Sequence, residues 1–103
     1  MQIITVEELK NRLDANEPVN LLDVREPDEH IAFDIGGKLL PLGNILGMQV
    51  DDIEGWKNEE VVCYCRSGNR SMQAALMLET FGFTNVKNLA GGMNAWQEKY
   101  PVQ

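Results

Sequence analysis

The chain has 103 residues, a formal net charge of −7, and 44% hydrophobic and 24% charged residues. That length suits one domain around one modest core. The acidic balance opposes a nucleic-acid partner, which needs a basic patch, and no apolar run approaches the roughly 20 residues of a membrane span.

In chain order, Met1 to Glu8 carries neither a basic stretch nor a long apolar one, so no secretory signal is expected. Ile3-Ile4 reads as a short strand. Thr5 with Glu8 three residues on makes a capping-box pattern, and Val6, Leu9 and Leu13 fall at helical spacing. A helix is expected from Thr5 to about Asn16, covering a sheet. Asn20 to Val24 is short and mostly apolar, as a buried parallel strand is, with Asp23 and Arg25 at its carboxyl end. Pro27 suits the first turn of a short helix reaching about Ala32. Its His30, the only histidine, is expected on the surface of that helix. Lys38-Leu39-Leu40 is a third strand. Leu42 to Ile53 reads as irregular or weakly helical, broken at Gly43 and Gly47. Asp51-Asp52 reads as solvated surface, and Trp56 as a core or shell residue under the sheet edge.

Val61 to Tyr64 is an apolar, β-rich run that ends at Cys65, and a helical pattern resumes at about Arg70 or Ser71. Ala74, Ala75, Leu78 and Phe81 fit its buried stripe, and Gly82 its C-cap. Val86 to Leu89 is the last strand. Gly91-Gly92 turns into a final helix, Met93 to Lys99, with Trp96 on its buried face. Met72, Met77 and Met93 read as packing residues. Strands alternating with helices imply an α/β fold, a mainly parallel five-stranded sheet with helices on both faces, in a single domain over residues 1–103.

The chemistry concentrates between Cys65 and Ser71. Backbone N–H groups at a helix N-terminus lack intrahelical partners and carry partial positive charge, and a short loop entering that helix turns further N–H groups inward as an anion nest. Gly68 and Asn69 suit the backbone angles such a loop demands, and Arg66 and Arg70 add full charges. A thiolate there has a lowered pKa. Cys65 is the candidate nucleophile, with Arg66, Ser67, Gly68, Asn69, Arg70 and Ser71 around what it binds. Cys63, inside the strand on the same face, reads as packing. Two residues apart on one strand, the two cysteines are poorly placed for a disulfide, and no disulfide framework follows from them. A reducing cytoplasm is the expected setting. No cluster at zinc spacing is present, so neither metal nor cofactor is expected.

The run Cys65-Arg66-Ser67-Gly68-Asn69-Arg70-Ser71 resembles the active-site loop of the rhodanese-like sulfurtransferases. Asp23-Val24-Arg25-Glu26-Pro27 resembles that family's first motif, Gly91 to Trp96 its closing motif, and Phe81-Gly82-Phe83 with Val86 the turn after the active-site helix. Ile35 to Leu42 is similar to the rhodanese domains attached to ubiquitin-activating-like adenylyltransferases. The resemblance implies transfer of a sulfane sulfur from a small donor such as thiosulfate, through a Cys65 persulfide, to a thiol or protein acceptor. It implies Asp23 and Arg25 as supports of the loop. It leaves open a persulfide carrier with little small-molecule turnover. Cell-cycle-type cysteine phosphatases share the fold but carry Cys-x5-Arg; Cys65-x4-Arg70 makes a narrower cup, better matched to one sulfur than to a phosphate.

Overall fold

The computed structural model describes residues 1–101. Strand β1 (Gln2–Ile4) leads to helix α1 (Val6–Asp14), then β2 (Asn20–Asp23), α2 (Pro27–Ala32), β3 (Lys38–Leu39) and α3 (Leu42–Leu46). A 3-10 turn (Asp51–Trp56) precedes β4 (Glu60–Tyr64), α4 (Asn69–Thr80), β5 (Asn85–Leu89) and α5 (Gly92–Lys99). The five strands form one sheet in the order β1-β5-β4-β2-β3, and every pairing is parallel. The α/β class read from the sequence is the architecture found.

Period-two alternation sorts the side chains. Val61, Cys63 and Cys65 point to one face of the sheet, into a cluster with Leu22, Val24, Ala74, Ala75, Leu78 and Val86. Val62 and Tyr64 point to the other, with Leu9, Leu21, Leu89, Met93 and Trp96. Helices α3 and α4 therefore cover the first face, and α1 and α5 the second. β4 lies between β5 and β2 and is buried from Val61 to Tyr64, which is why that run has almost no polar residue.

Local signals act as expected at most boundaries. Thr5 caps α1 through a reciprocal capping box with Glu8, Pro27 opens α2, and Gly82 follows α4 with φ +96°. The segment from Leu42 to Ile53 is more ordered than its composition suggests: α3 fills one turn before Gly47, and the 3-10 turn follows. Asp51 and Asp52 are exposed, and Trp56 packs half-buried against the α3/α4 cluster. Among the methionines, Met93 is buried and Met77 packs against the core, but Met72 is 42% exposed. The expectation of a packing role fails there because Met72 faces outward from α4, away from the Ala74–Ala75–Leu78 stripe.

Candidate active site

β4 delivers Cys65 to the carboxyl edge of the sheet, where ligands gather in open α/β folds. The chain then turns through Arg66, Ser67 and Gly68 and enters α4 at Asn69. Gly68 has φ +103°, a conformation that costs glycine little. In that pose its N–H donates to Cys65 Sγ at 3.0 Å, and the Ser71 hydroxyl lies 3.3 Å from the same sulfur.

The loop holds this shape because its outward-facing carbonyls are taken up elsewhere. At the start of α5, the Met93 N–H donates to Cys65 O and the Asn94 N–H to Arg66 O, both at 2.9 Å. Gly92 makes that approach possible: a Cβ there would lie 2.3 Å from Cys65 O and 2.9 Å from Arg66 O. The Gly91-Gly92 turn thus docks one helix N-terminus onto the loop's carbonyls, leaving loop N–H groups free to face the sulfur.

Asn88 on β5 completes the cradle. It is 2% exposed. Its amide nitrogen donates to Gly68 O at 3.1 Å, and its amide oxygen accepts from the Ser71 hydroxyl. Sequence reasoning placed Asn88 in a strand and gave it no role. The available signal was an amide at the same alternating position as Val86, where the strand faces the core.

Burial alone would push the Cys65 thiol up. Hydrogen bonds from the Ser71 hydroxyl and from the backbone N–H groups of Ser71, Gly68 and Ser67 outweigh it, and the thiol lies below its ordinary range. Cys63, with burial and the neighbouring Cys65 against ionisation, is pushed up to about 12. The two thiols therefore differ in kind: Cys63 is core packing, as read from its place in the strand.

Cys65 itself is fully buried, closed under the loop and backed by the core. Beside it, between α2 and α5, lies a cleft of about 360 Å³ lined by Arg25, Asp28, Glu29, Arg66, Met93 and Asn94. Arg66, Ser67 and Asn69 are exposed. Arg70 is not open to solvent in the same way. Its guanidinium forms a two-pronged pair with Glu29 of α2, at 2.7 and 2.8 Å, and this partner was missed because it lies 41 residues away. The hydrogen bond from Arg70 holds the Glu29 carboxyl down at about 2.

Asp23 and Arg25 are buried, but their hydrogen bonds do not run to residues 65–71. Arg25 donates to Asp23 through Nε and Nη2, at 2.9 and 2.7 Å, and its Nη2 also donates to Phe33 O. His30 Nδ1 lies 2.8 Å from Asp23 Oδ2. An ionised carboxylate only accepts, so that ring nitrogen carries the proton. Burial raises the Asp23 carboxyl, yet the bonds from Arg25 and His30 leave it below its usual value. The surface role expected of His30 is thereby corrected: it turns inward because the fold brings a buried carboxylate to the foot of α2. The trio ties α2 to β2, and Arg25 also lies over the Tyr64 ring, 5.6 Å from its centroid, next to Cys65 in the chain.

Among the described residues no group of three or more His, Cys, Asp or Glu side chains is placed to hold a metal, and no helix is long and apolar enough to cross a membrane.

Known proteins resemble this chain. A family model of the rhodanese-like domain matches residues 5–99. A sulfurtransferase of Allochromatium vinosum is 40% identical over 94 residues, covering 90% of this chain and 85% of that protein. YrkF of Bacillus subtilis, described as a candidate sulfur carrier protein, is 35% identical over 97 residues; the match takes in 93% of this chain but 51% of YrkF, about half its length. The crystal structure of a rhodanese-like domain protein from Staphylococcus aureus superposes with a TM-score of 0.79 at 36% identity, covering 93% of this chain and 91% of that one. With a match over nearly all its length and a cysteine loop built as described, the chain belongs to the rhodanese-like domain family.

Proposed function

We propose that the protein is a sulfurtransferase in which Cys65 takes a sulfane sulfur from a donor and passes it to a thiol or protein acceptor. The observation that carries this reading is a buried sulfur accepting hydrogen bonds from Gly68 N–H and Ser71 Oγ with its thiol below the ordinary range. Such a cradle stabilises an anion on sulfur, and it has the same use before and after the sulfur is loaded.

In the loading step the Cys65 thiolate attacks the donor's outer sulfur. The donor's S–S bond breaks, its electron pair leaves with the departing group, and a new S–S bond forms on Cys65. With thiosulfate the departing group is sulfite. The loop N–H groups of Ser67, Gly68, Asn69 and Ser71 hold the outer sulfur of the persulfide, and the exposed Arg66 meets an anionic donor at the mouth of the cleft. The likeness to YrkF, described as a candidate sulfur carrier protein, favours a second reading, in which the domain is a carrier loaded only by a docked protein persulfide.

The test is intact mass after incubation with thiosulfate, followed by cyanide. A gain of one sulfur atom (~32 Da) that cyanide removes, and that Cys65→Ser abolishes, supports the transferase. A gain from a persulfidated protein but not from thiosulfate selects the carrier. No gain from either donor overturns both.

A further inference from the structure

Arg70 brings a full positive charge to the active loop, yet its fork is already occupied. Both prongs are held by the Glu29 carboxylate, a planar, two-oxygen anion of the kind a guanidinium binds best. Glu29 is not a loose surface carboxylate. Its Oε1 also accepts the Glu26 N–H at 3.0 Å, in the capping box of α2. That helix is pinned to β2 through Asp23, Arg25 and His30. Asp23, Arg25 and His30, buried or half-buried, thus converge on keeping one carboxylate against one guanidinium of the active loop.

Besides Arg66, this guanidinium is the other full charge of the loop that a small oxyanionic donor such as thiosulfate would use for its sulfonate oxygens. To reach it, the dianion must displace Glu29 and then sit next to it, and both Glu29 and Asp28 line the neighbouring cleft. Arg66 forms no ion pair among the described residues, but it is exposed and its charge is screened. A hydropersulfide carried on an uncharged group makes no such demand. Its outer sulfur needs only the cradle of Gly68 N–H and Ser71.

We infer that Glu29 is a specificity-determining residue: by occupying Arg70 it disfavours small oxyanionic sulfur donors and leaves the loop to donors that present sulfane sulfur on an uncharged or weakly charged thiol. This rests on the sulfurtransfer reading and names the donor class for the same site. With such a donor, RSSH, the thiolate attacks the outer sulfur, the S–S bond breaks, and RS⁻ leaves and takes up the donor's proton. Cys65 persulfide and RSH result, with atoms and charge balanced.

Glu29→Gln is the decisive variant, because glutamine at that helix position preserves the capping box while removing the charge. Rates of Cys65 loading are measured with thiosulfate and with a hydropersulfide on an uncharged alkyl group, for the parent, Glu29→Gln, Arg70→Ala and the double variant. Glu29→Gln is expected to raise kcat/KM for thiosulfate about fivefold and to change that for the hydropersulfide less than twofold. The thiosulfate gain should vanish in the Arg70→Ala background. No gain, an equal gain with both donors, or a gain that survives without Arg70 overturns the inference while leaving sulfur transfer intact. Failure of both small donors on the parent, together with no loading from a persulfidated protein, overturns sulfur transfer itself.

Discussion

Ser71 has one hydroxyl proton and two acceptors within reach, Cys65 Sγ at 3.3 Å and the Asn88 amide oxygen at 2.5 Å. With Cys65 as a thiol, the proton serves Asn88 and the S–H group can donate to Ser71. With Cys65 as a thiolate, the charge draws the hydroxyl proton to sulfur. Ser71 is thus a donor that turns with the ionisation of its neighbour, and it is the strongest single contribution lowering the Cys65 pKa. Ser71→Ala removes a hydrogen bond to the charged form, so the Cys65 pKa should rise, by about one unit for a bond of about 1.4 kcal/mol. Thiolate ultraviolet absorbance followed through a pH titration reads this directly, and Cys63, pushed up to about 12, stays silent across the range. An unmoved midpoint would exclude Ser71 from activation of the thiol.

Between elements, the decisive joint is the N-terminus of α5 against the loop. Peptide groups have two ends: if the carbonyls of Cys65 and Arg66 are held by Met93 and Asn94 N–H groups, the loop's own N–H groups are available to the sulfur. Gly92 sits at the point of contact with φ +52°. Gly92→Ala places a methyl group against backbone atoms of Cys65 and Arg66, which cannot swing aside as a side chain would. A loss of about 2–3 kcal/mol is expected, read as a lower urea midpoint with an unchanged slope, together with a Cys65 pKa displaced upward as the cradle loosens. A variant of parent stability would show that the loop and α5 do not press on each other as described.

Across the whole molecule, ion pairs at the opposite end of the sheet bind layers together. Glu60 opens β4 and meets Arg12 of α1 and Lys87 of β5. The hydrogen bond from Arg12, with Lys87 behind it, holds the Glu60 carboxyl down at about 2. Glu29 is held as low by Arg70. Both folded-state values lie below the ordinary carboxylate value of 4.5. Their contribution to stability is therefore present above pH 4.5 and is lost as pH falls from there toward 2. At roughly a fifth exposed, each pair contributes about 1–2 kcal/mol after screening by solvent. Urea unfolding at pH 7, 4 and 3 should show that loss, and Glu60→Gln should flatten the pH dependence by less than half, since the Asp23 carboxyl is held low as well. Equal stability at pH 7 and pH 3 would contradict it.

What the sequence determines by itself is local. The alternation of Val61, Cys63 and Cys65 with Val62 and Tyr64, the Thr5–Glu8 capping box, Pro27 at a helix start, and glycines at residues 68, 82, 91 and 92 specify strands, helices and turns, because each depends on neighbours within a few positions. The cysteine loop is legible for the same reason: strand end, tight turn and helix N-terminus are consecutive in the chain. The partners were decided by tertiary structure alone. Glu29 meets Arg70, Asn88 meets both Gly68 and Ser71, and His30 turns to Asp23, because β2, β4 and β5 are adjacent in the sheet and α2 lies across their carboxyl ends. No periodicity within one segment carries that information: a side chain's partner depends on how separate elements pack, and a carboxylate on a short helix reads the same whether it faces water or a guanidinium.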